Sequence, residues 1–166
     1  GFMFIEISLI QKLILFLDHP VYAVSTALFG ILIFSGIGSF LSKRYTSNKK
    51  LFNIILSLSI MIVIATIFLP YIITFFLGSN LILRGIVTLL TLCPIGILMG
   101  MPFPAAMKML GERNKDVIPW AWCVNGASSV ISSILAIIIA LSVGFNAVLL
   151  LAALMYLIAG RLVKNP

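Results

Sequence analysis

Apolar stretches long enough to cross a lipid bilayer fill almost the whole of this chain. Hydrophobic residues make up 62% of it and charged residues only 9%, and the mean hydropathy is +1.25. A soluble domain of 166 residues could not cover its surface with so few charges. Crossing a hydrocarbon core of about 30 Å takes about 20 apolar residues as helix. Lipid offers the backbone no hydrogen-bond partners, so such stretches must be helical. Segments such as Met61–Phe68 (Thr66 apart) and Ile134–Leu141 are apolar on every side, which excludes the alternation of a membrane β-barrel. The sequence predicts an all-α, polytopic membrane protein whose first partner is the lipid bilayer.

Six transmembrane helices are predicted, at about 1–17, 21–41, 51–77, 81–109, 119–143 and 146–159. Together they form one domain over 1–166, with no length left for a soluble catalytic domain. The breaks are Asp18-His19-Pro20, the polar run Ser42–Lys50, Gly78-Ser79-Asn80, Gly111–Asp116 and Gly144-Phe145-Asn146. Gly160 marks the end of the last helix. The chain begins with Gly1 rather than Met, which points to a processed product or a fragment, and no secretory signal peptide can be read.

The net charge of +7 reflects orientation rather than nucleic-acid binding. Lys43, Arg44, Lys49 and Lys50 lie in the second connection, Lys108, Arg113 and Lys115 around the fourth, and Arg161 and Lys164 in the tail. The first, third and fifth connections carry no Lys or Arg. The positive-inside rule then puts both termini in the cytoplasm, in agreement with an even number of spans. Arg84 and Lys12 fall outside this pattern. Arg84 can snorkel to the outer interface, whereas Lys12 sits deeper and requires a partner or a cavity. Cys93 and Cys123 have no metal-ligand spacing and are read as reduced packing residues.

Ionisable groups within spans are costly and point to function by default. Glu6 stands about 9 Å along the first helix, and Asn125 is at similar depth on the fifth. The fourth helix descends to that level through Gly100-Met101-Pro102-Phe103-Pro104, where two prolines remove backbone donors and kink or unwind the turn. Glu6, Gln11, Pro102, Pro104, Asn125 and Ser128 are the candidate binding residues of a polar pocket open to the cytoplasm. A purely structural alternative pairs Glu6 with Lys108 to fix packing. On a helical wheel Gln11 and Lys12 point away from Glu6, so protein should surround the first helix on several sides. Small-residue faces at Gly96/Gly100/Pro104, Gly126/Ser129/Ser133 and Ser35/Ser39/Ser42 allow close helix approach. They are read as internal packing, with a homodimer as the alternative. Trp120 and Trp122 suit an interfacial aromatic belt. No catalytic residue set, metal cluster or cofactor motif can be found.

Two strings carry a resemblance. Gly1–Gln11 followed by His19-Pro20, and Pro119-Trp120-Ala121-Trp122-Cys123-Val124-Asn125-Gly126-Ala127-Ser128-Ser129, resemble the membrane region of bacterial integral-membrane spermidine/spermine synthase-like proteins. The resemblance implies a place in the inner (cytoplasmic) membrane of a bacterium. It also implies a soluble, Rossmann-type aminopropyltransferase-like domain of the same protein as partner; no Gly-rich loop for such a domain lies in this chain. Gly38–Arg44 followed by Lys49-Lys50 weakly resembles the loop motif of major-facilitator transporters, with Ser42 where an Asp would be expected. Six helices built as 3+3 inverted repeats would form half of such a transporter. A transporter-like module and a purely structural anchor therefore stand as alternatives.

Overall fold

A computed structural model describes residues 1–43 and 47–164; Arg44, counted above among the basic residues, lies outside them. The described residues form helices and no strand. They are α1 (Phe2–Phe16), α2 (Pro20–Ser42), α3 (Asn48–Phe76), α4 (Leu81–Gly100), α5 (Pro102–Arg113), a 3₁₀ turn (Lys115–Val117), α6 (Ile118–Val143) and α7 (Phe145–Lys164). Among the described residues five segments are long and apolar enough to cross a membrane, with α4 and α5 counted as one. α1 has 15 residues and reaches only about 22 Å at 1.5 Å per residue, short of the hydrocarbon core. Much of the outer surface is apolar: Leu15, Phe29, Phe40, Phe75 and Leu141 all stand exposed.

Local chemistry sets the helix ends. His19 caps α2, its Nδ1 accepting from the Val21 amide at 3.3 Å, and Pro20 follows at the first helical position, where no amide donor is needed. Asn80 caps α4 by accepting from the Leu83 amide at 2.8 Å. Gly144 joins α6 to α7 with φ 86°, a left-handed value that suits glycine. The expected break in the fourth helix is present. α4 ends at Gly100, Met101 is a bend, and α5 starts on Pro102. α7, in contrast, runs past the stop expected at Gly160. That glycine is buried against α3, and a Cβ there would lie 3.2 Å from Ile55 Cγ2. Close packing, not chain termination, explains it.

The most extensive helix contacts are α2 on α4 and α3 on α7. α2 and α4 touch backbone to backbone. A Cβ placed on Gly38 would overlap the Ile97 carbonyl, and one on Gly100 would overlap the Ser35 carbonyl. At Gly96 it would come within 2.7 Å of Phe34 Cβ. The small faces at Gly96/Gly100 and around Ser35 thus pack against each other inside the chain. Gly126 on α6 has open space around it.

α1 runs through the middle and packs on α2, α6 and α7, with a smaller contact on α4. Phe4, Ile5, Ser8, Leu9, Leu13, Phe16 and Leu17 are each at most 2% exposed. Protein therefore surrounds most of this helix, although Gln11 is exposed. Gly1 lies against the Tyr156 ring and Lys12 reaches Asn146, so α1 and α7 are antiparallel. α1 begins at the end of the bundle where α7 finishes.

Replacing Gly38 with Ala should force α2 off α4 and cost about 1–3 kcal/mol, as overpacking does. Gly36, two residues away with nothing within 4 Å, serves as the control. Gly36→Ala should be neutral or add about 0.5–1 kcal/mol in helix propensity. Thermal unfolding of the two variants in lipid nanodiscs checks this, and equal midpoints would contradict the close contact.

Candidate functional site

Two chemically different ends are built from the residues already described. At one end Lys108 Nζ donates to the Lys43 carbonyl at 3.4 Å. Lys164 sits over the Phe52 ring at 5.1 Å. A groove of about 170 Å³ lined by Asn48, Leu51, Met109, Arg113 and Val163 opens there. Lys108 is thus engaged with a carbonyl and makes no ion pair with Glu6, which removes the pairing considered above as a structural role.

At the other end Arg84 is a clasp. Its Nη1 donates to Asp18 Oδ2 at 2.6 Å and to the Phe16 carbonyl at 2.9 Å, while Nε donates to the Ser79 carbonyl at 2.9 Å. One guanidinium thereby satisfies a carbonyl that the end of α1 leaves open and one in the connection between α3 and α4. Snorkelling alone does not describe it. Asp18 adopts φ 58°, a left-handed conformation that Asp tolerates better than most residues. Lys12, the other exception, donates to Asn146 Oδ1 at 2.5 Å. The partner it required is a neutral amide in the first turn of α7.

The candidate binding residues fall into separate surroundings. Glu6 is 8% exposed and makes no hydrogen bond or ion pair among the described residues. It shares a helix stripe with Leu9, Leu13 and Phe16. Those three line a small cavity of about 10 Å³ with Leu69 and Ile73 of α3 and Val87 and Thr88 of α4, room for roughly one water. Glu6 therefore belongs to the side of α1 that faces α3 and α4. Gln11 is exposed on another side. Asn125 and Ser128 are exposed on α6. Pro102 and Pro104 are half-buried at the helix break. No hydrogen bond joins any two of these six residues.

Along α6, Asn125, Ser129, Ser132, Ala136 and Ala140 form one stripe. Ala136 and Ala140 are buried, Ser129 and Ser132 half-buried, and Asn125 exposed. The stripe packs on the bundle late in the helix and opens toward Asn125. The serines satisfy themselves within the helix: Ser129 donates to the Asn125 carbonyl at 2.8 Å and Ser132 to the Ser129 carbonyl at 3.1 Å. The Asn125 amide makes no hydrogen bond among the described residues. Below the opening, Phe103 of α5 meets Trp122 of α6 edge to face, with ring centroids 5.0 Å apart. Trp120 and Trp122 are both exposed, and Cys123 is exposed rather than packed.

The break between α4 and α5 has its own polar consequence. The Met101 amide donates to Leu98 and the Ala105 amide to Met101. No donor among the described residues reaches the carbonyls of Met99 or Gly100, because Pro104 lacks an N–H and the Phe103 amide makes no such bond. Sequence reasoning located this break but not Pro94 and Pro70, which lie inside α4 and α3 without ending them. No group of three His, Cys, Asp or Glu among the described residues could hold a metal ion. No family model, curated protein or solved structure matches this chain.

Arg84 serves three acceptors and Asp18 only one donor. Arg84→Gln should therefore cost about 1–3 kcal/mol through partly buried carbonyls left without a donor. Asp18→Asn should cost at most about 1 kcal/mol, as an exposed pair does. Thermal denaturation of both variants tests the ranking, and a larger loss for Asp18→Asn would contradict the clasp.

Proposed function

We propose that this chain is the membrane module of a spermidine-synthase-like protein, with both termini cytoplasmic. Its work is to hold an aminopropyltransferase-like domain of the same protein at the cytoplasmic face. It also presents a polar surface around Asn125 from the inner half of the membrane. The observation that supports this reading is the Phe103–Trp122 contact. It ties the Pro102–Pro104 break to the Pro119–Ser129 string, the most distinctive sequence in the chain. Both segments lie beside the end where Lys43, Lys108, Arg113 and Lys164 gather, which is the cytoplasmic end by the positive-inside rule.

A second reading has its own support. Taking α4–α5 as one helix gives two sets of three, and an inverted repeat exchanges the first helix with the fourth, the second with the fifth and the third with the sixth. That operation maps the α2–α4 pair onto α6–α1 and the α3–α7 pair onto itself. All of these pairs are in contact. Under this reading the chain is half of a transporter and works only when a second half covers the open side of α6.

The test uses the full-length protein in lipid nanodiscs and in cells. Aminopropyl transfer to a diamine acceptor is the expected activity, and Trp122→Ala should lower it about tenfold. Single cysteines at Ser47 and Asn114 should resist a membrane-impermeant reagent in intact cells, and those at Ser79 and Asn146 should react. A full-length protein that neither binds the nucleoside donor nor transfers the group contradicts the first reading. Labelling at Ser47 but not Ser79 inverts the topology and contradicts both.

A further inference from the structure

Glu6 is the buried acid that nothing in the bundle accounts for. It is 8% exposed and has no hydrogen-bond or ion-pair partner among the described residues. Its depth follows from the antiparallel packing of α1 on α4. Arg84 holds the Phe16 carbonyl, and Phe16 lines the small cavity with Val87 and Thr88. Glu6 lies ten residues before Phe16, about 15 Å back along α1. Ten residues beyond Arg84 and Thr88, the same distance along α4, lie Pro94 and Leu98. Glu6 is thus level with the last two turns of α4, which lead into the Met99 and Gly100 carbonyls that have no donor. An acid without a cation and carbonyls without donors stand in adjoining turns of the bundle, with Glu6 on the side of α1 that faces α3 and α4.

We propose that Glu6 is a reversible proton-binding site whose acid form donates toward the carbonyls freed at the α4–α5 break. A carboxylate in this position would be an isolated buried charge, and such groups neutralise rather than remain ionised. The neutral acid supplies the kind of donor the break lacks. The Ser8 hydroxyl, two residues on, is also buried without a partner among the described residues, but a hydroxyl has no charged form to neutralise. The charged and titratable side chains on the helices around α1 and at the break are Tyr22 on α2, Lys49, Lys50 and Tyr71 on α3, Arg84 and Cys93 on α4, Lys108, Glu112 and Arg113 on α5, Cys123 on α6, and Tyr156, Arg161 and Lys164 on α7, with the Gly1 amino group at the start of α1 itself. Arg84 is held by Asp18, and none of these pairs with Glu6. Lys12 belongs to the α7-facing side of α1, six residues away, and is held by Asn146. The proton is exchanged through the break, where the regular helix is interrupted. This assignment is independent of the soluble domain and holds under either reading above.

Infrared difference spectroscopy on the chain in lipid nanodiscs tests it, with wild type compared against Glu6→Gln at neutral pH. The expected result is a protonated-carboxyl carbonyl band in the wild type that is lost in the variant. Raising the pH should convert that band to carboxylate absorption in the wild type alone. Glu6→Gln, which preserves shape and a hydrogen-bond donor, should keep the thermal midpoint of the wild type. Carboxylate bands alone at neutral pH would overturn the proposal. So would a Glu6→Gln variant that fails to fold, since that would identify Glu6 as an ionised, structurally paired group.

Discussion

The approach of α2 to α4 at backbone distance constrains everything else in the bundle. Helices in lipid gain nothing from hiding apolar side chains from a solvent that is itself apolar, so close packing and internal hydrogen bonding must hold them. Gly38, Gly96 and Gly100 remove the side chains that would keep the two axes apart. The contact is tightest at Gly100, and the helix ends there. One residue later the chain bends at Met101 and restarts on Pro102. The break therefore sits at the edge of the most extensive helix contact among the described residues, packed from the α2 side.

From that pair the interior is assembled around α1. A short helix buried on most sides can carry groups that a lipid-facing helix cannot, and α1 carries Glu6, Ser8 and Lys12. Lys12 is resolved by Asn146, and the carbonyl at the end of α1 by Arg84. Many hydroxyls bond back to their own helices, as Ser59 does to Ile55 and Thr66 to Ile62. Such bonds leave no polar group for lipid to solvate. The departures from this economy are Asn125, open to the outside of the bundle, and Glu6, Ser8 and Thr88, closed within it, the two hydroxyls buried without a partner among the described residues.

Much of this was legible in the sequence. Hydropathy revealed the helices because lipid permits no other backbone, and two prolines two residues apart revealed the break because each lacks an N–H. The small-residue faces were legible as internal packing, though not as partners of one another. Other features depended on tertiary placement. Gly160 reads as a helix stop, yet α3 needs a small residue at that point. Arg84 reads as an interfacial cation, yet it finds two carbonyls and Asp18. Depth arithmetic placed Glu6 and Asn125 in one layer, but it contains no angle about the bundle axis, and the two residues sit on different sides. Pro70 and Pro94 leave no mark on helix continuity.

Disulfide cross-linking of α2 to α4 tests the central contact most directly. With Cys93 and Cys123 replaced by Ser, Phe34→Cys combined with Gly96→Cys puts two Cβ atoms closer than the roughly 3.5–4.5 Å that a disulfide spans. A small shift then suffices to join them. Mild oxidation in native membranes should link this pair rapidly and almost completely, while Leu32→Cys, exposed on α2, should not link to Gly96→Cys. Equal yields for the two pairs, or none for the first, would contradict a bundle organised around α2 and α4.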